Sequence, residues 1–239
     1  MLQETELIVL NAVRYSDTAA IVHTYSRAFG PLHLKVSRTS ARKAAGTRAF
    51  FTPFSLLSVV LDYRPKREVQ IPSESRLLYC PACIATDPVA NAVTLFLTEL
   101  LFKLLRNEEP EERLFGLIKE EIALMDRLTS AEMANYHLVF LLKLLPAIGV
   151  MPVIDDYRPG WVLNLDEGGF MPPFGPAQNE DRAPSETLIR LLRADDPYLC
   201  PLNQNSRQAL LRLLLRYLSR HYPSLDNLRS PAVLSELFG

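Results

Sequence analysis

The apolar positions change period once along this chain. Over the first eighty residues they fall in short runs: Leu7 to Val13, Thr18 to Tyr25 and Leu32 to Val36 are rich in β-branched and apolar side chains, and Leu32, Leu34 and Val36 alternate with polar neighbours. Each run predicts a strand. Arg27-Ala28-Phe29-Gly30-Pro31 separates the second run from the third; Gly30 can take a positive φ, and Pro31 can open a strand without donating a hydrogen bond, so a hairpin is expected. A fourth run, Phe51 to Tyr63, meets a fifth, Glu68 to Leu78, through the turn Arg64-Pro65-Lys66-Arg67. Ser37 to Arg48 contains no large apolar side chain, which predicts a solvated loop or a short surface helix.

After Tyr79 the spacing becomes helical. Asp87-Pro88 has the form of an N-cap with proline in the first helical position, followed by Val93, Phe96, Leu97, Leu100, Leu101, Leu104 and Leu105. Further helices are predicted from about Glu111 to Arg127, from the capping box Thr129-Ser130-Ala131-Glu132 to Ile148 with Gly149 as stop, near Ser185 to Leu192, and from Ser206 to Arg220 behind Asn205. Trp161 to Phe170 interrupts them with the pattern of a short hairpin around Gly168-Gly169, and Pro172, Pro173 and Pro176 then enforce an irregular connection. The expected class is α+β. A five-stranded barrel with its long connection between strands three and four, the OB-fold, occupies residues 1–80, and an α-helical domain with an irregular hairpin segment near 153–178 occupies residues 81–239.

Charge sharpens this division. Residues 1–79 hold eleven Lys and Arg against six Asp and Glu, a net charge of +5 inside a chain whose total is −1. A basic head on an acidic body points to a polyanionic partner for the head. No N-terminal run has the form of a secretory signal, and no apolar run reaches bilayer length, so the expected location is the cytoplasm. Three cysteines are too few for a disulfide framework, which fits a reducing compartment.

Phosphate binding needs cations on extended arms, and single-strand binding adds aromatic faces for stacking. The candidate nucleic-acid residues are Lys35, Arg38, Arg42, Lys43, Arg48, Arg64, Lys66 and Arg67, with Phe50 and Tyr63 as candidate stacking rings. The competing reading makes the aromatics barrel core and the cations a solvated face. Arg212, Arg216 and Arg220 recur every four residues beside Leu210, Leu211, Leu214, Leu215 and Leu218, forming either a docking stripe for an acidic peptide or a face paired with local carboxylates. Cys80-Pro81-Ala82-Cys83 has half the ligands of a zinc site and lacks the βαβ context of a thiol redox centre; neither a metal nor another cofactor is expected. The acidic clusters Glu108-Glu109, Asp155-Asp156 and Asp195-Asp196 do not read as a nuclease metal site, because adjacent helical carboxylates point apart.

The stretch from Leu10 to Gly30, the segment Leu144-Leu145 with Ile148-Gly149 and Pro152, and the chain end His221-Tyr222-Pro223-Ser224-Leu225 with Arg229-Ser230 and Val233-Leu234 together resemble the RecO family of bacterial DNA repair proteins. The resemblance implies a noncatalytic recombination mediator that binds single- and double-stranded DNA and anneals complementary strands. It implies work with RecR, and in many relatives RecF, to load RecA onto strands coated by single-strand binding protein, whose acidic tail is a further partner. A nucleoid-associated location follows. Many relatives carry a four-cysteine zinc site in the irregular segment, whereas Asp155 to Pro176 here holds no cysteine. On the residues alone, an OB-fold RNA-binding protein is the alternative.

Overall fold

The computed structural model describes residues 1–37, 52–231 and 234. Two compact units make up the chain, Met1–Asp126 and Arg127–Gly239. The first contains strands β1 (Leu2–Arg14), β2 (Ala19–Ser26), β3 (Gly30–Ser37), β4 (Leu56–Asp62), β5 (Val69–Gln70) and β6 (Pro72–Tyr79), then helices α1 (Cys83–Thr86), α2 (Pro88–Leu104) and α3 (Glu112–Leu124). The expected α+β class and OB-type arrangement are what the molecule has.

The sheet order is β5-β3-β2-β1-β4-β6. Its two edges are consecutive pieces of one stretch of chain: β5 pairs parallel with β3, and β6, which begins after Ile71, pairs antiparallel with β4. The fifth strand of the sequence reading is therefore broken in two. Pro72 lacks an N–H to donate to a ladder, and the chain changes partner there, which leaves the sheet curled into a partly open barrel with β5 and β6 at its edges. β1 is longer than the run Leu7 to Val13 because its first half pairs with β4 and its second with β2, with an irregularity near Leu10. β4 starts later than Phe51 because Phe54 is buried with φ 67, a left-handed conformation that no strand accommodates.

Leu7, Val9, Val22, Leu32, Leu34, Leu57, Val59 and Leu61 fill the barrel, with Phe29, Val36 and Tyr63 partly buried against them. The β2–β3 turn is tied by Ser26, whose hydroxyl accepts from the Phe29 N–H at 3.1 Å. Gly30 has the expected positive φ, 66°, and a Cβ there would come within 3.0 Å of the Pro110 backbone nitrogen, so both conformation and space require glycine. Lys119 of α3 reaches Glu6 at 2.9 Å, and the Tyr25 hydroxyl accepts from the Glu111 N–H at 3.1 Å, pinning the helix to the barrel.

The second unit holds α4 (Ser130–Ala147), the two-stranded β7 (Val162–Leu163) and β8 (Phe170–Met171), α5 (Pro176–Asn179), α6 (Arg182–Leu192) and α7 (Gln204–His221). The Thr129–Glu132 capping box forms as expected. The cap of α7 is Asn203 rather than Asn205; its side chain accepts from the Ser206 N–H at 2.8 Å and the helix begins two residues earlier. The hairpin is held by packing and hydrogen bonds: Val162 and Leu163 are buried, Phe170 meets Tyr157 edge to face, and the Leu163 N–H donates to the Ser185 hydroxyl at 3.0 Å. No helix among the described residues is long and apolar enough to cross a membrane.

Candidate nucleic-acid interface

The cationic turn is built by one buried residue. Gln70 is only 2% exposed; its carbonyl accepts from the Arg64 N–H at 3.1 Å and its amide donates to the Arg64 and Arg67 carbonyls at 2.9 and 2.6 Å. The Arg67 N–H also donates to the Arg64 carbonyl at 2.9 Å. A backbone tied at four points needs no further ordering of its own when a ligand meets the side chains it carries. Arg64, Lys66 and Arg67 are all exposed. Arg64 bonds Asp62 at 3.0 and 3.1 Å, and the N-terminal amine reaches the same carboxylate at 2.8 Å. Hydrogen bonds from that amine, then from Arg64, hold the Asp62 carboxyl below its usual range. Among the described residues, Lys66 and Arg67 have no carboxylate partner.

Strand register orders the neighbouring outer face. Ala12, Val22, Leu34 and Val36 point into the barrel, so the residues that alternate with them point out. One outward row reads Val13, Ile21, Lys35 across β1, β2 and β3; the next reads Asn11, His23, His33, Val69 and continues onto β5. The second row is partly covered: His23 lies 4.9 Å from the Phe102 ring of α2. His23 Nδ1 and His33 Nδ1 are 2.9 Å apart, so one donates and the other accepts. Burial, then the neighbouring imidazole, lowers the His23 pKa; burial and then Arg106 lower that of His33, against the pull of Glu68. A doubly charged pair at this spacing would repel, and the neutral form is the stable one near pH 7.

The sequence-derived residues divide accordingly. Lys35 is exposed on the first row, while Arg38, Arg42, Lys43, Arg48 and Phe50 lie outside the described residues. Tyr63 is half-buried with one face stacked on Phe29, ring centroids 4.1 Å apart and 18° between planes. On α7, Arg216 bonds Asp181 at 2.7 Å and Arg220 lies 3.5 Å from Asp166, while Arg212 is exposed with no carboxylate partner among the described residues. Gln70 and the first-row residues Val13 and Ile21 were not legible as site residues, since nothing local in the chain marks a buried amide beneath a turn or an outward apolar row.

Cys80 and Cys83 flank the start of α1 as free thiols. Burial, and then Asp126, push the Cys83 thiol up to about 12, so it stays protonated and is a poor nucleophile. Asp126 is partly desolvated, which raises its pKa, but hydrogen bonds from the Cys83 N–H, the Tyr79 hydroxyl and the Ala82 N–H outweigh this and bring it to about 2. Its carboxylate thus caps a helix from more than forty residues away. No group of three or more metal-ligating side chains occurs among the described residues.

Comparison with known proteins agrees with this architecture. Residues 1–80 match the family model described as "Recombination protein O N terminal", and residues 85–156 match "Recombination protein O C terminal". The chain is 31% identical over 242 residues to the "DNA repair protein RecO" of Bacteroides fragilis and 30% identical over 241 residues to that of Phocaeicola vulgatus, in each case covering 100% of both chains. It is 29% identical over 247 residues to the protein of the same description from Porphyromonas gingivalis, again over 100% of both.

Proposed function

The chain belongs to the recombination protein O family, with the role in DNA repair by recombination that this carries, and from that premise we propose that it is a noncatalytic mediator whose barrel binds the DNA backbone. The observation that carries the proposal is the Gln70-tied turn, where Lys66 and Arg67 stand in solvent without a carboxylate partner among the described residues, on the barrel that also exposes Lys35. Cations free of a carboxylate partner break no ion pair when a phosphate arrives, and each contact releases condensed counterions. Such contacts carry no base information, as suits a protein that handles any sequence. The basic residues Arg38, Arg42, Lys43 and Arg48 extend the same proposal along the chain, with Phe50 and the free edge of Tyr63 as base contacts.

Binding two complementary strands on one cationic surface lowers their mutual repulsion and favours annealing. In this reading the protein acts with RecR, and RecF where present, to open strands coated by single-strand binding protein for RecA. The acidic tail of the coating protein docks at the α7 stripe, chiefly through Arg212. The division of labour follows residues 1–80 for DNA and 81–239 for partners.

Annealing of complementary oligomers precoated with the cognate single-strand binding protein tests this directly. The chain should accelerate duplex formation, more so with RecR present. No acceleration together with no retention of DNA would refute it, and markedly tighter binding to RNA of the same sequence would favour the RNA-binding alternative.

A further inference from the structure

We infer that Tyr15 is a base-stacking platform that gives the barrel a preference for single strands, an inference resting on the nucleic-acid reading above. Tyr15 follows β1 directly and is 64% exposed. A lone exposed aromatic would mean little. Three further observations set this one apart.

The ring is held in place. Tyr15 and Ser16 both donate their backbone N–H to the Ala19 carbonyl, at 3.1 and 3.0 Å, and the Ser16 hydroxyl accepts from the Thr18 and Ala19 N–H groups at 3.3 and 3.1 Å. This closes the β1–β2 connection into a fixed loop, so little conformational freedom is lost when a ligand meets the ring. The ring is also oriented: the Lys35 ammonium sits over it, 4.9 Å from the centroid. A cation on one face leaves the other for a planar partner, and it stands where the phosphate of a stacked nucleotide needs a counter-charge.

Lastly, the ring has an apolar floor beside it. Lys35, Ile21 and Val13 form one cross-strand row on the outer barrel face, and Val13 is 49% exposed. An exposed Val13 and a half-buried Ile21 beside an oriented aromatic suit the flat face of an unstacked base and offer nothing to a duplex, whose bases are already stacked. Among the described residues, Lys35 lies over the ring, and the adjoining Arg14 is paired with Asp17.

The test uses the full chain with an oligothymidylate and a blunt duplex. Tyr15→Ala should weaken oligothymidylate binding about tenfold, with duplex affinity, melting temperature and salt slope unchanged, because stacking releases no counterions. Tyr15→Phe should bind like wild type. Independently of any variant, photocrosslinking from 5-iododeoxyuridine in the strand should map to Tyr15 by mass spectrometry. Wild-type affinity in Tyr15→Ala, or crosslinks that all map elsewhere, overturns the platform. If Lys66→Ala and Arg67→Ala still weaken binding in that case, the barrel reading survives alone; if the wild-type chain binds no DNA, both fall.

Discussion

The molecule displays two cationic surfaces that look equivalent in the sequence and differ in their supply of partners. On the barrel turn, one cation of three is neutralised, Arg64 by Asp62, while Lys66 and Arg67 are left to solvent among the described residues. On α7, two of three are engaged, Arg216 by Asp181 and Arg220 by Asp166, and the Asp181 side chain is only 10% exposed. A paired guanidinium gives up its ion pair to meet a phosphate, which offsets part of what the new contact gains. Clustered charge is therefore a weak sign of binding by itself; the absence of a local counter-charge is the informative part.

The largest effect should separate these surfaces. Changing Lys35, Lys66 and Arg67 together to Ala is expected to lower single-strand affinity roughly a hundredfold and to flatten the log–log salt slope by about 2, at about 0.7 per phosphate contact. Changing Arg212, Arg216 and Arg220 should leave both unaltered. Fluorescence anisotropy across a salt series decides it, and the reverse result would move the DNA site to the helical unit.

Acid should weaken both units, the barrel through the His23–His33 pair and the helical unit through one wholly buried imidazole. His137 in α4 is wholly buried, and burial, with Arg207 adding to it, lowers its pKa to about 3 from the ordinary 6.5. Between those values the unfolded chain holds a proton that the folded chain does not, so stability falls as pH falls, by about 1.4 kcal/mol per pH unit. From pH 6.5 to 5 the helical unit should lose about 2 kcal/mol. Trp161, the single tryptophan, lies in that unit and reports its denaturant unfolding. A free energy that stays constant over this range, or an equal decline in a His137→Gln variant, would contradict the assignment.

Gln70→Ala carries the comparison into the barrel. Removing the amide strips three hydrogen bonds from the cationic turn and should cost about 1–3 kcal/mol, with a several-fold loss of DNA affinity although no charge changes. Unchanged DNA binding in a folded variant would mean that the turn need not be fixed to act. The smallest effect is expected from Arg216→Ala: about 0.5–1 kcal/mol lower stability and no change in DNA binding, checked by melting and anisotropy. A binding loss there would break the contrast between the two surfaces.

What could be read in advance follows interaction range. Asp87 accepting from the Val89 N–H at 2.8 Å, the Thr129–Glu132 box and Gly30 at its positive φ are decided within a few residues, and the chain displays them openly. Two misplaced strand boundaries involve distant neighbours: the chain passes from pairing with β3 to pairing with β4 at Pro72, and Phe54 leaves the strand pattern to bury its ring, whereas the third, Asn203 capping α7 in place of Asn205, was a local choice between two asparagines.

By itself, then, the sequence determined the change from strand to helix near residue 80, the local caps and turns, the α+β class and the excess of cations in the head, all of which depend on spacing along the chain. Tertiary structure alone decided which cations meet carboxylates, that Gln70 lies beneath the turn, that Asp126 caps a helix starting at Cys83, and that Val13, Ile21 and Lys35 share a row beside Tyr15. The physical reason is chain separation: packing sets Arg216 against Asp181 and Asp126 against the Cys83 N–H, and strand pairing brings residues well apart in the chain within about 5 Å of each other, where a shift of one position would send Val13, Ile21 and Lys35 to the opposite face.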